Sequence, residues 1–104
     1  MSYDVYVGGS DKSFNYTSNL GEMLYDHIPD NGKGGVIREL HETCNREVVA
    51  IIGNFFESIR GEHKTLSKYD APNGWGTHEG MMIFMARIMA EAAKNPDNIT
   101  TIST

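Results

Sequence analysis

The stretch Met81-Met-Ile-Phe-Met-Ala-Arg-Ile-Met-Ala90 contains one charged residue, Arg87, in ten positions. It belongs to a predicted helix from His78 to Lys94, because Thr77 can cap its start and Asn95-Pro96 can end it. A helix that is apolar on almost every side has to be covered on most of them. We therefore expect this helix at the centre of the domain, with part of its surface against another copy of the chain in a homo-oligomer.

Short strands are predicted at both ends of the chain. Tyr3, Val5 and Val7 lie at alternate positions, which is typical of a strand with one buried face. Ser13–Thr17 can return beside this strand, and Asn98–Ser103 is rich in β-branched residues. Pairing strands from the two ends gives a small sheet of two or three strands and ties down both termini.

Two more helices are predicted between the strands. The first starts near Ser18 or Asn19 and is ended by Pro29. The second runs from an N-cap at Thr43 to Arg60, along a continuous apolar stripe. Its internal glycine, Gly53, should cost the helix about 1 kcal/mol relative to alanine, which close approach by another backbone would explain. The elements together predict an α+β domain whose sheet packs on three helices, the third of them central.

Composition limits the classes of function. The chain has 104 residues, which suits a single compact domain over residues 1–104. Its formal net charge of −5 argues against binding a nucleic acid polymer, because such proteins need a basic face. No apolar run reaches the roughly 18 residues of a membrane span, and the first residues lack the features of a secretion signal. One cysteine excludes an internal disulfide, so we expect a cytoplasmic protein without membrane contact.

Two segments contain residue types suited to ligand binding. Phe14-Asn-Tyr-Thr-Ser-Asn19 combines rings, amides and hydroxyls just before a predicted helix start, where free N–H groups can bind an anion. In the connection Gly61–Gly76, glycines flank Trp75 and let the backbone approach a ligand. Simpler roles stay open, since residues 17–19 can be helix caps and Trp75 can be a core residue. The candidate ligand-binding residues are Asn15, Tyr16, Thr17, Asn19, Tyr69, Asp70, Asn73, Trp75, Thr77 and Arg87.

The central helix leaves two alternatives open. Arg87 can pair with Glu91 one turn further on, which is the ordinary arrangement, or it can hold a phosphate or carboxylate by two parallel hydrogen bonds. The methionines of the helix can fill the core or form a subunit interface. They are Met81, Met82, Met85 and Met89.

Catalytic and metal chemistry have little support in the sequence. None of the four histidines lies at metal-ligand spacing from another histidine or from Cys44. Cys44 near His41 is the best nucleophile candidate, because a helix start favours the thiolate. No oriented base or oxyanion site can be named for it. We therefore predict that the protein is not an enzyme and uses neither a metal nor another cofactor.

Three segments resemble those of small uncharacterised proteins encoded in bacteriophage genomes. They are Tyr3-Asp-Val-Tyr-Val-Gly-Gly9, Asn15-Tyr-Thr-Ser-Asn19 and Asn73-Gly-Trp-Gly76 ahead of an apolar helix. The resemblance implies a phage accessory protein in the cytoplasm of a bacterial host, and it brings no defined activity. Small acidic proteins of this kind often counter host defence, by blocking a defence protein or by sequestering its nucleotide messenger. That implication concerns context and not chemistry.

Two hypotheses from different classes follow. The first is a non-enzymatic protein that binds and sequesters a small ligand, with a nucleotide messenger of host defence as the candidate. Trp75, Tyr69 or Tyr16 would stack on the base, and Arg87 would meet the phosphate. The second is an inhibitor that binds a host defence protein such as a CRISPR effector, with its acidic surface steering association. We predict the first, because the glycines beside Trp75 favour close approach to a ligand.

Overall fold

A computed structural model describes residues 2–17, 23, 36–61, 66–71, 74 and 76–103 of the chain. The fold is α+β, as predicted, with an antiparallel sheet and two long helices among the described elements. In chain order these elements are β1 (Ser2–Tyr6), β2 (Ser13–Thr17), a 3₁₀ helix (Val36–Leu40), β3 (Thr43–Cys44), α1 (Asn45–Ile59), a second 3₁₀ helix (Ser67–Tyr69), α2 (His78–Lys94) and β4 (Ile99–Ser103).

The two ends of the chain pair in the sheet, as expected. The strand order is β2-β1-β4-β3, and every neighbouring pair is antiparallel. Val5 of β1 faces Phe14 of β2 on one side and Ile102 of β4 on the other. Both termini are therefore fixed by the same central strand.

The described residues alone form a sheet of four strands, so the expected two or three was wrong. The additional strand is β3, in which Thr43 faces Thr100 and Cys44 faces Ile99. Two residues are too few to show the alternation that predicts a strand. Thr43 is therefore a strand residue, and Cys44 takes the N-cap position of α1 without a side-chain capping bond.

The central helix has the predicted bounds. α2 runs over His78–Lys94, and the Thr77 hydroxyl oxygen accepts a hydrogen bond of 3.0 Å from the Gly80 N–H. Its inner side supplies much of the core, including the fully buried Met81 and Met85. Met82 and Met89 pack against that core from partly buried positions. Core packing thus accounts for the two buried methionines, while the subunit-interface role stays a prediction.

The outer side of α2 is less covered than we expected. Ile83 is 54% exposed, and Ala86, Ala90 and Ala93 are exposed as well. One stripe of α2 therefore faces solvent. Most of its apolar residues are alanines, which are small enough to be exposed at little cost.

Gly53 does not mark a close approach of two backbones. The residue is exposed in the middle of α1, and a Cβ atom built on it meets nothing within 4 Å. The predicted reason for this glycine was wrong, and nothing in the structure explains its presence.

The predicted first helix lies outside the described residues, apart from Met23. Met23 is helical and fully buried in the core. Among the helices of the described ranges, none is long and apolar enough to cross a lipid bilayer.

Candidate functional site

A cleft of about 300 Å³ opens between β2, an end strand of the described sheet, and the first half of α2. This volume is at the lower end of the range of about 300–1,000 Å³ that is usual for small-molecule sites. We call it the β2–α2 cleft. It is lined by Ser13, Phe14, Asn15, Tyr16, Gly80, Ile83, Phe84 and Arg87.

The strand side of the cleft is formed by four consecutive residues, Ser13 to Tyr16. Successive side chains of a strand point to opposite faces, so a cleft that meets all four residues also meets the backbone of the strand. Phe14 and Tyr16 pack against the core on the inner face. The Asn15 amide is held on the sheet's outer side, where it donates to the Asp4 carboxylate at 2.7 Å and to the Ser2 hydroxyl at 3.1 Å. Asn15 therefore offers the cleft its backbone.

The helix side of the cleft follows one face of α2. Gly80, Ile83, Phe84 and Arg87 have the spacing of residues on one helix face. The Phe84 ring stacks on the Tyr16 ring, with 5.7 Å between centroids and 27° between planes. A Cβ atom at Gly80 would lie 2.8 Å from Cζ of Tyr16, closer than van der Waals contact permits. Glycine at this position lets the tyrosine ring lie across the helix.

Tyr16 also joins β2 to the start of α2. Its hydroxyl accepts a hydrogen bond from the Thr77 N–H at 3.0 Å and donates one to the Thr77 carbonyl at 3.2 Å. Two of the predicted site residues, distant in sequence, are thus in contact. The Thr77 hydroxyl caps the helix, and its backbone holds Tyr16. Thr77 therefore positions one wall of the cleft relative to the other.

Arg87 is the charged group of the cleft. It is exposed and makes no hydrogen bond or ion pair with any residue in the described ranges. The expected pair with Glu91 was wrong, because Glu91 is taken by Lys12 at 3.7 Å and Lys94 at 3.5 Å. Glu91 also accepts a hydrogen bond of 3.0 Å from the Ser10 hydroxyl. That hydrogen bond is the main cause of the lowered pKa of Glu91, followed by the two lysines.

The segment before α2 is tied to the helix start. Asp70 accepts hydrogen bonds from the backbone N–H of His78 at 2.7 Å and from its ring Nδ1 at 2.9 Å. These two bonds hold the pKa of Asp70 below its ordinary value. The neighbouring Tyr69 packs against the core, with the Lys68 ammonium 5.0 Å from its ring centre. Asp70 and Tyr69 therefore support the helix start and do not line the cleft.

The structure brings together some of the predicted site residues. Asn15, Tyr16 and Arg87 line the cleft, and Thr77 contacts it through Tyr16. Thr17 ends β2 outside the lining. The predicted residues Asn19, Asn73 and Trp75 lie outside the part of the chain that the structure describes.

The candidate residues did not include five residues of the lining, although Phe14 begins the predicted ligand-binding segment Phe14–Asn19; the five are Ser13, Phe14, Gly80, Ile83 and Phe84. A signal was present for two of them. Phe14 alternates with Tyr16 on one face of a strand, and Ile83 shares a helix face with Arg87. What the sequence did not reveal is that these two faces meet.

The nucleophile candidate and its neighbour have other contacts. The Cys44 thiol donates to the Pro96 carbonyl at 3.2 Å. Nδ1 of His41 accepts a hydrogen bond of 3.0 Å from the Ile102 N–H, and its Nε2 lies 3.4 Å from the Glu42 carboxylate. Within the described ranges, no group of three or more His, Cys, Asp and Glu residues is placed to hold a metal ion.

Comparison of the chain with protein family models, with curated proteins and with solved structures gives no match.

Proposed function

We propose that the protein is a non-enzymatic binding protein that takes up a small anionic ligand in the β2–α2 cleft. The observation that carries the proposal is the place of Arg87, a guanidinium without a partner among the described residues, beside the apolar side chains of Phe14, Ile83 and Phe84. One cation next to an apolar wall suits a molecule with an acidic group and a flat or apolar part.

A nucleotide has both features. Its base can stack against a side-chain ring, which contributes about 1–3 kcal/mol per base. Its phosphate can accept two parallel hydrogen bonds from a guanidinium. The cleft volume of about 300 Å³ favours a ligand with one base rather than several.

The proposed biological role is sequestration of such a ligand. The resemblance to phage accessory proteins suggests a nucleotide messenger of host defence as the target, in a bacterial cytoplasm. Sequestration needs affinity and no covalent step, which fits a cleft that offers one cation and an apolar wall.

The second candidate is inhibition of a host defence protein, such as a CRISPR effector, through direct binding. The observation in its favour is that β2 lies at one end of the sheet formed by the described strands and borders the cleft with its backbone. The net charge of −5 would steer the protein towards a basic partner.

Self-association through α2 is part of the proposal. The exposed Ala86, Ala90 and Ala93 give that helix an apolar outer stripe outside the cleft lining, which a second copy can cover. A native mass spectrum of the purified protein reports both oligomeric state and any retained ligand; a bare monomer at micromolar concentration would contradict the self-association.

Calorimetric titration with a panel of nucleotides tests the main proposal. The panel contains AMP, GMP, their 3′,5′-cyclic forms and cyclic dinucleotides. We expect at least one to bind, and Arg87→Ala to weaken that binding at least about tenfold, since a hydrogen bond to a charged group contributes about 1.5–3 kcal/mol. Lys94→Ala is the matched control, because Lys94 is an exposed cation of the same helix outside the cleft lining. No heat with any nucleotide would rule out nucleotide binding.

A further inference from the structure

We propose that the β2–α2 cleft binds an extended peptide segment, which adds to β2 as an antiparallel strand and presents an apolar and an acidic side chain separated by one residue. This further function rests on the same cleft as the proposed function, and it does not depend on the small ligand.

Among the described strands, β2 lies at one end of the sheet. In the order β2-β1-β4-β3 its one neighbour within the described ranges is β1. Alternate residues of such a strand turn their N–H and C=O groups away from that neighbour, where another strand can bind them. The cleft meets the four consecutive residues Ser13 to Tyr16, so the backbone of this stretch borders it.

The helix wall and the strand wall of the cleft have nearly the same length. From Gly80 to Arg87 a helix rises about 10.5 Å, at about 1.5 Å per residue. From Ser13 to Tyr16 a strand advances about 10 Å, at about 3.3 Å per residue. A cleft with walls of equal length has room for three to four residues of extended chain (roughly 10–13 Å) beside the strand.

The opposite directions of β2 and α2 determine the order in which an added strand passes the residues of the helix. Tyr16 contacts Thr77 and stacks on Phe84, so the end of β2 lies at the start of α2. Arg87, almost one turn beyond Phe84, therefore lies towards the Ser13 end of the cleft. Antiparallel pairing is somewhat more stable than parallel pairing. A strand added antiparallel to β2 passes Ile83 first and Arg87 second.

The spacing of Ile83 and Arg87 on the helix determines the spacing of the two peptide side chains that they contact. Ile83 and Arg87 are separated by about 6 Å along the helix axis. Side chains on one face of an extended peptide repeat every two residues, or about 6.6 Å. An apolar residue placed at Ile83, which is 54% exposed, therefore puts the residue two positions later at the guanidinium of Arg87. An acidic side chain is the complement to that cation.

Synthetic peptides test the proposal without altering the protein. The probe is the hexapeptide Ser-Thr-Ile-Thr-Asp-Ser with acetylated and amidated ends, so that its aspartate is the only charge. We expect calorimetric binding that weakens at least about tenfold when the aspartate becomes asparagine or is moved next to the isoleucine. Equal affinity for all three peptides would overturn the proposed recognition.

Backbone methylation distinguishes strand addition from side-chain contact alone. In an antiparallel pair, successive N–H groups point alternately to the partner strand and away from it. We expect N-methylation at one of two adjacent central residues to weaken binding at least about tenfold, and at the other to change it less than about twofold. The same small effect at both positions would exclude strand addition.

A charge exchange locates the acidic contact. Arg87→Glu should lose the aspartate peptide and gain the corresponding lysine peptide, while Lys94→Glu should keep the original preference. An unchanged preference in Arg87→Glu would contradict the proposal. A protein that binds the peptide and none of the nucleotides would support this inference and refute the nucleotide function; the reverse result would do the opposite.

Discussion

The hydroxyl of Tyr16 and the backbone of Thr77 hold each other by two hydrogen bonds, one accepted at 3.0 Å and one donated at 3.2 Å. Through this contact the end of β2 is joined to the residue that caps α2. One tyrosine thus joins the two walls of the cleft, and its ring also stacks on Phe84.

Removing the Tyr16 hydroxyl should weaken the contact between β2 and α2 without leaving a cavity in the core. Tyr16→Phe keeps the ring and its stacking but loses both hydrogen bonds, so we expect a loss of about 1–2 kcal/mol in the free energy of unfolding. Urea denaturation measures it. Tyr6→Phe is the control, because Tyr6 is 50% exposed on β1 and should change stability by less than about 0.5 kcal/mol. Equal effects of the two variants would contradict the structural role of the Tyr16 hydroxyl.

Two helical glycines should respond in opposite ways to alanine. Gly53→Ala adds a Cβ atom in open space, so we expect stabilisation by about 1 kcal/mol from helix propensity. Gly80→Ala gains the same propensity but forces the Cβ against the Tyr16 ring, so we expect net destabilisation by about 1–3 kcal/mol, as for other overpacking. Thermal denaturation of both variants tests this, and stabilisation by both would show that the ring of Tyr16 moves aside freely.

The sequence was sufficient to predict the elements whose signals are local. The bounds of α2 were correct because Thr77 and Asn95-Pro96 mark its two ends. The absence of an ion pair between Arg87 and Glu91 was not predictable in this way. Glu91 lies one turn away on the same helix, yet Lys12 and Ser10, from the connection between β1 and β2, reach it across the fold.

The site was predictable only in part, for a related reason. Tyr16 and Arg87 were identified by their residue types, but the cleft exists because a strand edge and a helix face meet. That meeting depends on the small size of Gly80 and on the pairing of β2 with β1. Neither is visible in the periodicity of a single segment.

Acid should release the contact between Asp70 and the start of α2. The hydrogen bonds from His78 lower the pKa of Asp70 below its ordinary value of 3.8. A carboxyl whose pKa is lower in the folded state stabilises the fold above its unfolded pKa and loses this contribution as the pH falls through the folded pKa. We expect stability to fall below pH 3.8, less steeply in Asp70→Asn than in the wild type.

Glu91 provides the comparison for that measurement. Its pKa is also lowered, mainly by the Ser10 hydroxyl, so Glu91→Gln should reduce the same acid dependence. Denaturant titrations between pH 2 and pH 7 on the wild type, both single variants and the double variant measure both contributions. If the Asp70→Asn curve followed the wild-type curve throughout, the two bonds to His78 would not contribute to acid stability.

Asn45 should be the polar residue that the fold can least lose. It is fully buried, and its amide donates to the carbonyls of Gly8 at 3.0 Å and Asn95 at 2.7 Å, while its oxygen accepts from the Thr100 hydroxyl at 2.7 Å. It thereby joins the segments after β1 and α2 to β4. Asn45→Ala removes these three hydrogen bonds, at a cost of about 1–3 kcal/mol for each buried group left unsatisfied. We therefore expect destabilisation by more than about 3 kcal/mol.

Two further variants separate this network from a general effect of changing α1. Asn54→Ala removes an exposed amide from the same helix and should cost less than about 0.5 kcal/mol. In Asn45→Ala the buried hydroxyl of Thr100 loses its acceptor, Oδ1 of Asn45. Thr100→Val removes that hydroxyl, so the double variant does not leave it buried without an acceptor. The double variant should therefore lose about 1 kcal/mol less stability than the sum of the losses in the two single variants, as expected for residues in one network. Strict additivity, together with a small effect of Asn45→Ala, would mean that the two ends of the chain are held by the strand pairing alone.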